Sequence, residues 1–289
     1  MFGERIAMPL ELIEDAMGDP RNARFLAVAS DLAYYSQAEG EGKFADELGL
    51  TGKLISVDNT QAWIASNEAH IVVAFRGTEK PTAIEGLKDW LLTNAMNLLI
   101  VPEGRLGTDL AAAGVGARFH QGFVNAIGEI WPQVLTEVEQ EISKADRALW
   151  VTGHSLGGAL ALFAAWLFTR KMVNVHQIYT FGAPMIGNQA AVDAFNNEFK
   201  DRLFRYTNHP DPVPRLPMYS LLANEFVHCD EERQLLSGDA VNPTDSLVKS
   251  MAQGAVEGIL SATLVDNIWK SVVNGIAAHG MDNYRKLLG

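Results

Sequence analysis

The segment Gly153-His154-Ser155-Leu156-Gly157 places a serine between two glycines at G-x-S-x-G spacing, which makes Ser155 a candidate nucleophile. A serine hydroxyl attacks only when a base takes its proton, so the chemistry implied is acyl transfer through a serine, a base and an acid that orients the base. The glycines have a physical reason. The serine must stand on a sharp, strained turn between a strand and a helix, where side chains on the flanking residues would collide. The helix that follows aims its N–H groups and its dipole at the same point, which suits a developing oxyanion.

In a strand–elbow–helix arrangement the acid and then the base follow the serine along the chain. Seven histidines are present, at 70, 120, 154, 176, 209, 228 and 279. His70 and His120 precede the elbow, and His176 opens a strand just after it. His154 adjoins Ser155 on the turn and is expected to point its ring away from the hydroxyl, in a structural role. That leaves His209, His228 and His279. His209 and Asp211 share the loop Asn208-His209-Pro210-Asp211-Pro212-Val213-Pro214, which follows a strand and so lies at the carboxyl edge of the sheet, where ligands bind. Prolines brace Asp211, the candidate acid, and His209 is then its neighbour rather than the base. Asp230 is the main competitor, while Asp193 and Asp201 fall on or beside a polar helix face. Between His228 and His279 the residues alone make no choice.

The elements that must position these groups are visible as periodicity. Asp19-Pro20 is a helix start, with a capping side chain and proline at the first helical position, followed by Phe25, Val28, Leu32 and Tyr35 at three- to four-residue spacing. Residues 54–57 and 62–65 read as a hairpin turning at Asp58-Asn59. From residue 70 the chain alternates. Residues 70–76, 147–152, 177–181 and 203–207 read as strands; 123–142, 156–168 and 189–199 read as helices, with 156–168 apolar nearly all round and hence buried. This order predicts an α/β protein with a mostly parallel sheet covered by helices on both faces, made mixed by the leading hairpin. No repeat or Pro/Gly/Ser linker divides residues 1–289, which are read as one domain.

Composition bounds the rest. The chain has 289 residues, 23 Lys plus Arg against 35 Asp plus Glu, and a formal net charge of −12. That balance argues against nucleic acid as a partner and against docking on anionic membranes through a basic face. The single cysteine, Cys229, excludes an intrachain disulfide and a zinc site built on several thiolates. Residues 1–18 carry scattered charges rather than the apolar core of a secretory signal, and no apolar run reaches the ~20 residues of a membrane span. The expectation is a soluble protein, cytoplasmic or exported without a visible signal, that needs no cofactor or metal.

Several ordered motifs resemble those of the class 3 lipases, the fungal-type triacylglycerol lipases with bacterial and plant relatives, which include feruloyl esterases. They are Val73-Ala74-Phe75-Arg76-Gly77-Thr78, Lys88-Asp89-Trp90, His120-Gln121-Gly122-Phe123, the elbow Gly153–Gly158, and Tyr179–Pro184 with Gly187-Asn188. Asp211-Pro212-Val213-Pro214 and His279-Gly280-Met281 followed by Tyr284 complete the series, and this last motif is similar to bacterial members. The match runs from about residue 54 to residue 289. It implies an α/β-hydrolase fold, Ser155 as nucleophile, Asp211 as acid, His279 as base, and the backbone N–H groups of Thr78 and Leu156 as oxyanion donors, helped by the Thr78 hydroxyl. His228 stands where the family often carries a non-catalytic histidine.

The expected substrate is a carboxylic ester of a lipid. Ile84, Leu87 and Leu91 share one helical face in a segment near 79–100, a lid that would cover an apolar site in water and open at a lipid surface. A phospholipase, a feruloyl-type esterase and a non-catalytic lipid-binding protein on the same fold are the alternatives. An apolar, helix-like stretch near 247–278 separates acid from base, beyond what the family pattern requires; shaping the acyl pocket, forming a second flap and making a dimer contact are the roles it could take.

Overall fold

The computed structural model describes residues 10–78, 99–215, 226–236 and 275–289. The expected lid therefore lies outside the described residues up to position 98, and the apolar insertion lies outside them up to 274.

Asp19 starts helix α1 (Pro20–Leu32), its carboxylate accepting the Arg21 N–H at 2.8 Å, with Pro20 at the first position as expected. Helix α2 (Gln37–Leu48) follows, ended by Gly49 in the left-handed region. The hairpin is strands β1 (Thr51–Val57) and β2 (Thr60–Ser66), in antiparallel register around the Asp58-Asn59 turn. Next come β3 (His70–Phe75), β4 (Leu99–Ile100), the short helix α3 (Gly107–Ala111) and β5 (Phe119–His120). The long helix α4 (Gln121–Lys144), β6 (Ala148–His154), α5 (Leu156–Arg170), β7 (Gln177–Phe181), α6 (Gln189–Glu198) and β8 (Leu203–Asn208) then alternate. Strand β9 (Glu232–Leu235) and helix α7 (Met281–Leu288) close the described chain.

Among the described residues, seven strands form one sheet in the order β1-β2-β3-β6-β7-β8-β9. The pairs β1–β2 and β2–β3 are antiparallel and the other four are parallel, the mixed sheet that the hairpin predicted. The parallel register aligns the carboxyl ends: Phe75 stands opposite Gly153, His154 opposite Phe181, and Phe181 opposite Tyr206. One edge of the sheet thus carries the loops after β3, β6, β7 and β8 side by side, and with them Thr78, Ser155, Gly182 and Asp211.

Alternation along the strands divides the core in two. Ile71, Val73 and Phe75 face α4, α5 and α6; Val72 and Ala74 face α1, α2 and α7. Helix α5 is buried from Gly157 to Phe168 because it lies between the sheet, α4 and α6, with Trp166 stacked on Phe195 at 4.7 Å between centroids. On the other face, the buried hydroxyls of Ser30 and Thr152 bond at 2.9 Å and pin α1 to the strand that bears the elbow.

One buried ion cluster fixes α4 against the hairpin. Glu141 accepts from Ser66 of β2 at 2.8 Å and from Arg147 at 2.9 Å, and pairs with Lys144. Burial pushes its carboxyl up, but the hydrogen bonds from Lys144, Ser66 and Arg147 together outweigh it and hold the group at about 2. A carboxyl held that low stabilises the fold above pH ~5 and loses the contribution as pH falls towards 2. Glu141→Gln is therefore expected to lower unfolding free energy at pH 7 by about 1–3 kcal/mol, with the gap to wild type closing below pH ~4. Urea titrations at pH 3, 5 and 7 check this; a gap independent of pH would rule out the carboxylate as its cause.

Candidate active site

The elbow is built as its glycines require. Ser155 leaves β6 with φ 57° and ψ −130°, a conformation that costs a non-glycine residue of order 1–3 kcal/mol. It is held there by its own N–H on the Phe181 carbonyl at 2.9 Å and by the Gly158 N–H on its carbonyl at 2.9 Å. A Cβ at Gly153 would stand 2.2 Å from the Gly157 oxygen, and one at Gly157 2.2 Å from the Phe75 oxygen. Helix, elbow strand and β3 therefore cross at backbone contact. Leu156 opens α5, and Thr78 follows β3 two residues beyond Arg76; both are partly exposed at the same edge.

Asp211 sits just after β8 and is almost fully buried. Its Oδ1 accepts the Val213 N–H at 2.9 Å; its Oδ2 lies 2.8 Å from His279 Nδ1 and accepts the Tyr284 hydroxyl at 2.6 Å. Three donors offset the cost of burying a carboxylate. Burial, and then the Asp211 charge beside it, push the Tyr284 phenol well above its ordinary range, so it remains a neutral donor. Its oxygen accepts the Asn208 N–H at 3.1 Å. Gly182, at φ 60°, passes beneath this group: a Cβ there would lie 2.8 Å from Asp211 Oδ2 and 3.0 Å from His279 Cε1.

His279 ends the 3-10 turn Ile276–His279, immediately before α7. The Asn208 side-chain amide donates to the Ala278 carbonyl at 2.9 Å and holds that turn on the end of β8. Because Nδ1 faces a carboxylate it carries the ring proton, and Nε2 presents a lone pair. That Nε2 is buried and has no hydrogen-bond partner among the described residues. The His279 and His154 rings lie 4.4 Å apart between centroids, so the base is packed directly beside the elbow.

The competing candidates are engaged elsewhere. His228 Nε2 contacts the Pro214 carbonyl, and burial together with the Arg205 charge holds its ring at about 3, neutral and spent on the backbone. His209 faces the Gln234 amide at 3.2 Å. Asp230 is fixed through its N–H on the Asn196 side chain at 2.9 Å, Asp193 accepts from Gln189 on α6, and Asp201 occupies a turn at φ 61°. His154 is tied through both ring nitrogens, to the Tyr34 hydroxyl at 2.8 Å and to the His279 carbonyl at 2.7 Å. His120 packs on Phe123, and burial lowers its ring to about 3. Sequence reasoning gave no role to Tyr34, Tyr284 or Asn208. Tyr284 belongs to a recognised motif, whereas Tyr34 adjoins Tyr35 on the expected helix face and carries no motif of its own.

Among the described residues, no group of three or more His, Cys, Asp or Glu is arranged to hold a metal, and no helix is long and apolar enough to cross a membrane.

The family described as "Lipase (class 3)" matches residues 72–221. Secreted mono- and diacylglycerol lipase 1 of Fusarium solani is 34% identical over 163 residues, which cover 54% of this chain and 42% of that protein. Toxin TseL of Vibrio cholerae is 29% identical over 202 residues, which cover 64% of this chain and 29% of that protein. The chain thus spans less than half the length of these two relatives. A mutant form of MDLA from Penicillium cyclopium, a solved structure, superposes with a TM-score of 0.57 at 21% identity, over 76% of this chain and 79% of that one. The likeness establishes the fold as α/β-hydrolase.

Proposed function

Because the chain belongs to the class 3 lipase family, we propose that it hydrolyses carboxylic esters of lipids, with Ser155 as nucleophile, His279 as base and Asp211 as the acid that orients it. The observation that carries this reading is the lone pair of His279 Nε2, buried and without a partner among the described residues, on a ring fixed from behind by Asp211 at 2.8 Å and packed beside a strained serine elbow. His279 Nε2 takes the Ser155 proton as Oγ bonds the ester carbonyl carbon. Asp211 holds the required tautomer and stabilises the imidazolium. The backbone N–H groups of Thr78 and Leu156 hold the oxyanion, Leu156 at the positive end of α5. The proton on Nε2 then passes to the departing alkoxide. Water attacks the acyl-enzyme as Nε2 takes one of its protons; the acyl–Oγ bond then breaks, the Nε2 proton passes to Ser155 Oγ, and the carboxylic acid leaves.

Lipid esters are favoured over small polar ones by the family, by the names of the relatives, and by the apolar face Ile84, Leu87 and Leu91 that the sequence places just beyond Thr78. A fluorophosphonate probe is expected to label the wild-type protein and to leave Ser155→Ala unlabelled. Absence of labelling in both proteins would sink the enzymatic reading and leave a lipid-binding one. The substrate class is tested separately. Hydrolysis of emulsified triacylglycerol is expected to rise above the solubility limit, whereas a rate confined to short soluble esters would place the substrate elsewhere.

A further inference from the structure

We propose that Tyr34, which lies before the residues matched to the family, is a positioning residue that ties the nucleophile elbow and the base into one hydrogen-bonded unit packed against the end of the oxyanion strand. The inference rests on the triad reading above.

Tyr34 lies just past α1, its N–H on the Asp31 carbonyl at 3.2 Å, where the chain turns towards α2. Part of the side chain is exposed, but its hydroxyl end is enclosed. A Cβ at Gly77 would lie 2.2 Å from the Tyr34 oxygen, 2.7 Å from the His154 carbonyl oxygen and 3.0 Å from Ser155 Cβ. Only a glycine lets the end of β3 lie against both the phenol and the elbow.

The direction of each hydrogen bond follows from the next. The His279 carbonyl only accepts, so His154 Nε2, at 2.7 Å, carries the proton. A neutral ring then offers a lone pair at Nδ1, and the Tyr34 hydroxyl, at 2.8 Å, must donate to it. The phenol oxygen also lies against Gly77, so close that a Cβ there would stand 2.2 Å away. Burial raises the Tyr34 phenol far above neutrality, against the nearby Arg76 charge, so the hydroxyl keeps its proton over the working pH range. The chain of donors runs from Tyr34 through His154, the residue before the nucleophile, to the backbone of His279, and its phenol end packs on Gly77, the residue before the oxyanion donor. Each link ends on a ring or on backbone, and none uses the Ser155 hydroxyl or the Nε2 of His279. The predicted effect is therefore on the geometry of attack and not on binding.

Tyr34→Phe removes one oxygen and keeps the ring. With a short soluble p-nitrophenyl ester, and with rates expressed per site titrated by the fluorophosphonate probe, kcat is expected to fall by about 10²-fold while KM stays within about twofold. Tyr35→Phe, one residue along, serves as control and should leave both unchanged. In a His154→Gln background the same Tyr34→Phe change is expected to cost less than about threefold, because the link it served is already broken. A kcat within threefold of wild type, or a loss of equal size in both backgrounds, overturns the proposal. Titration per site removes loss of folded protein from the comparison. If His279→Ala retains turnover, the triad reading has failed. If His279→Ala is inactive and Tyr34→Phe is unimpaired, only the role of Tyr34 has failed.

Discussion

His279→Ala is expected to lower kcat on a soluble ester by about 10⁴–10⁶-fold, while His228→Ala leaves it within about threefold. The two histidines share a residue type and a position after the acid, yet their surroundings differ in kind. His279 turns Nδ1 to Asp211 and keeps Nε2 bare; His228 spends Nε2 on the Pro214 carbonyl and is held neutral by burial and by Arg205. On the proposed triad, loss of His279 removes the group that takes the Ser155 proton, and water is a poor substitute for an imidazole oriented by a carboxylate. Loss of His228 leaves a carbonyl without its donor and opens a small cavity. Its cost is of order 1–3 kcal/mol in stability, read as a lower melting temperature rather than a lower rate. Steady-state kinetics and thermal melts on the same two variants separate the cases. An inactive, well-folded His228→Ala beside an active His279→Ala would reverse the assignment.

Gly157→Ala is expected to destabilise the fold by more than about 3 kcal/mol, enough to remove most soluble protein, whereas Gly42→Ala stabilises it by about 0.5–1 kcal/mol. At Gly157 the added methyl would stand 2.2 Å from the Phe75 carbonyl oxygen and 2.7 Å from its carbon. Those atoms belong to β3, which is paired on both edges in the middle of the sheet, and cannot yield without breaking the parallel register to β6. At Gly42, within α2, nothing lies within 4 Å, so the same substitution only narrows the unfolded ensemble. Urea denaturation of the pair gives both signs in one experiment. A Gly157→Ala protein as stable as wild type would mean that the elbow is not packed at backbone contact.

The core strands and helices were legible because burial writes a strong pattern. Residues 177–181 read as a strand and form one with the same limits, and 156–168 read as a buried helix that runs two residues further. Elements with weak patterns were not legible. Helix α2 contains Gly40 and Gly42 and is mostly polar, and it forms because Phe44 and Leu48 pack beneath it on Trp63. Strand β9, Glu-Arg-Gln-Leu, is an exposed edge whose side chains show no alternation of burial. Helix α7 is too short to show a period. At the candidate site, the turn chemistry around Ser155 could be read directly, since the close approach of backbones dictates glycine at fixed offsets. The choice of histidine could not be read from the residues, because it depends on how the chain returns to the end of β8. The role of Tyr34 was hidden for the same reason: its partner His154 is 120 positions away, and its own surroundings look like the fading edge of an amphipathic helix.

The residues matched to the family, 72–221, include Ser155 and Asp211 but neither His279, Tyr284 nor Tyr34. Those three come from the two flanks, which are fastened to each other by Arg285 on Asp31 and Glu47 and by Arg24 on the Leu288 carbonyl. A polypeptide excised at the limits of that match would keep Ser155 and Asp211 but lose the proposed base. Recombination between relatives has a matching rule: head and tail are one cassette, and a chimera that exchanges either flank without the other inherits mismatched halves of the same clasp.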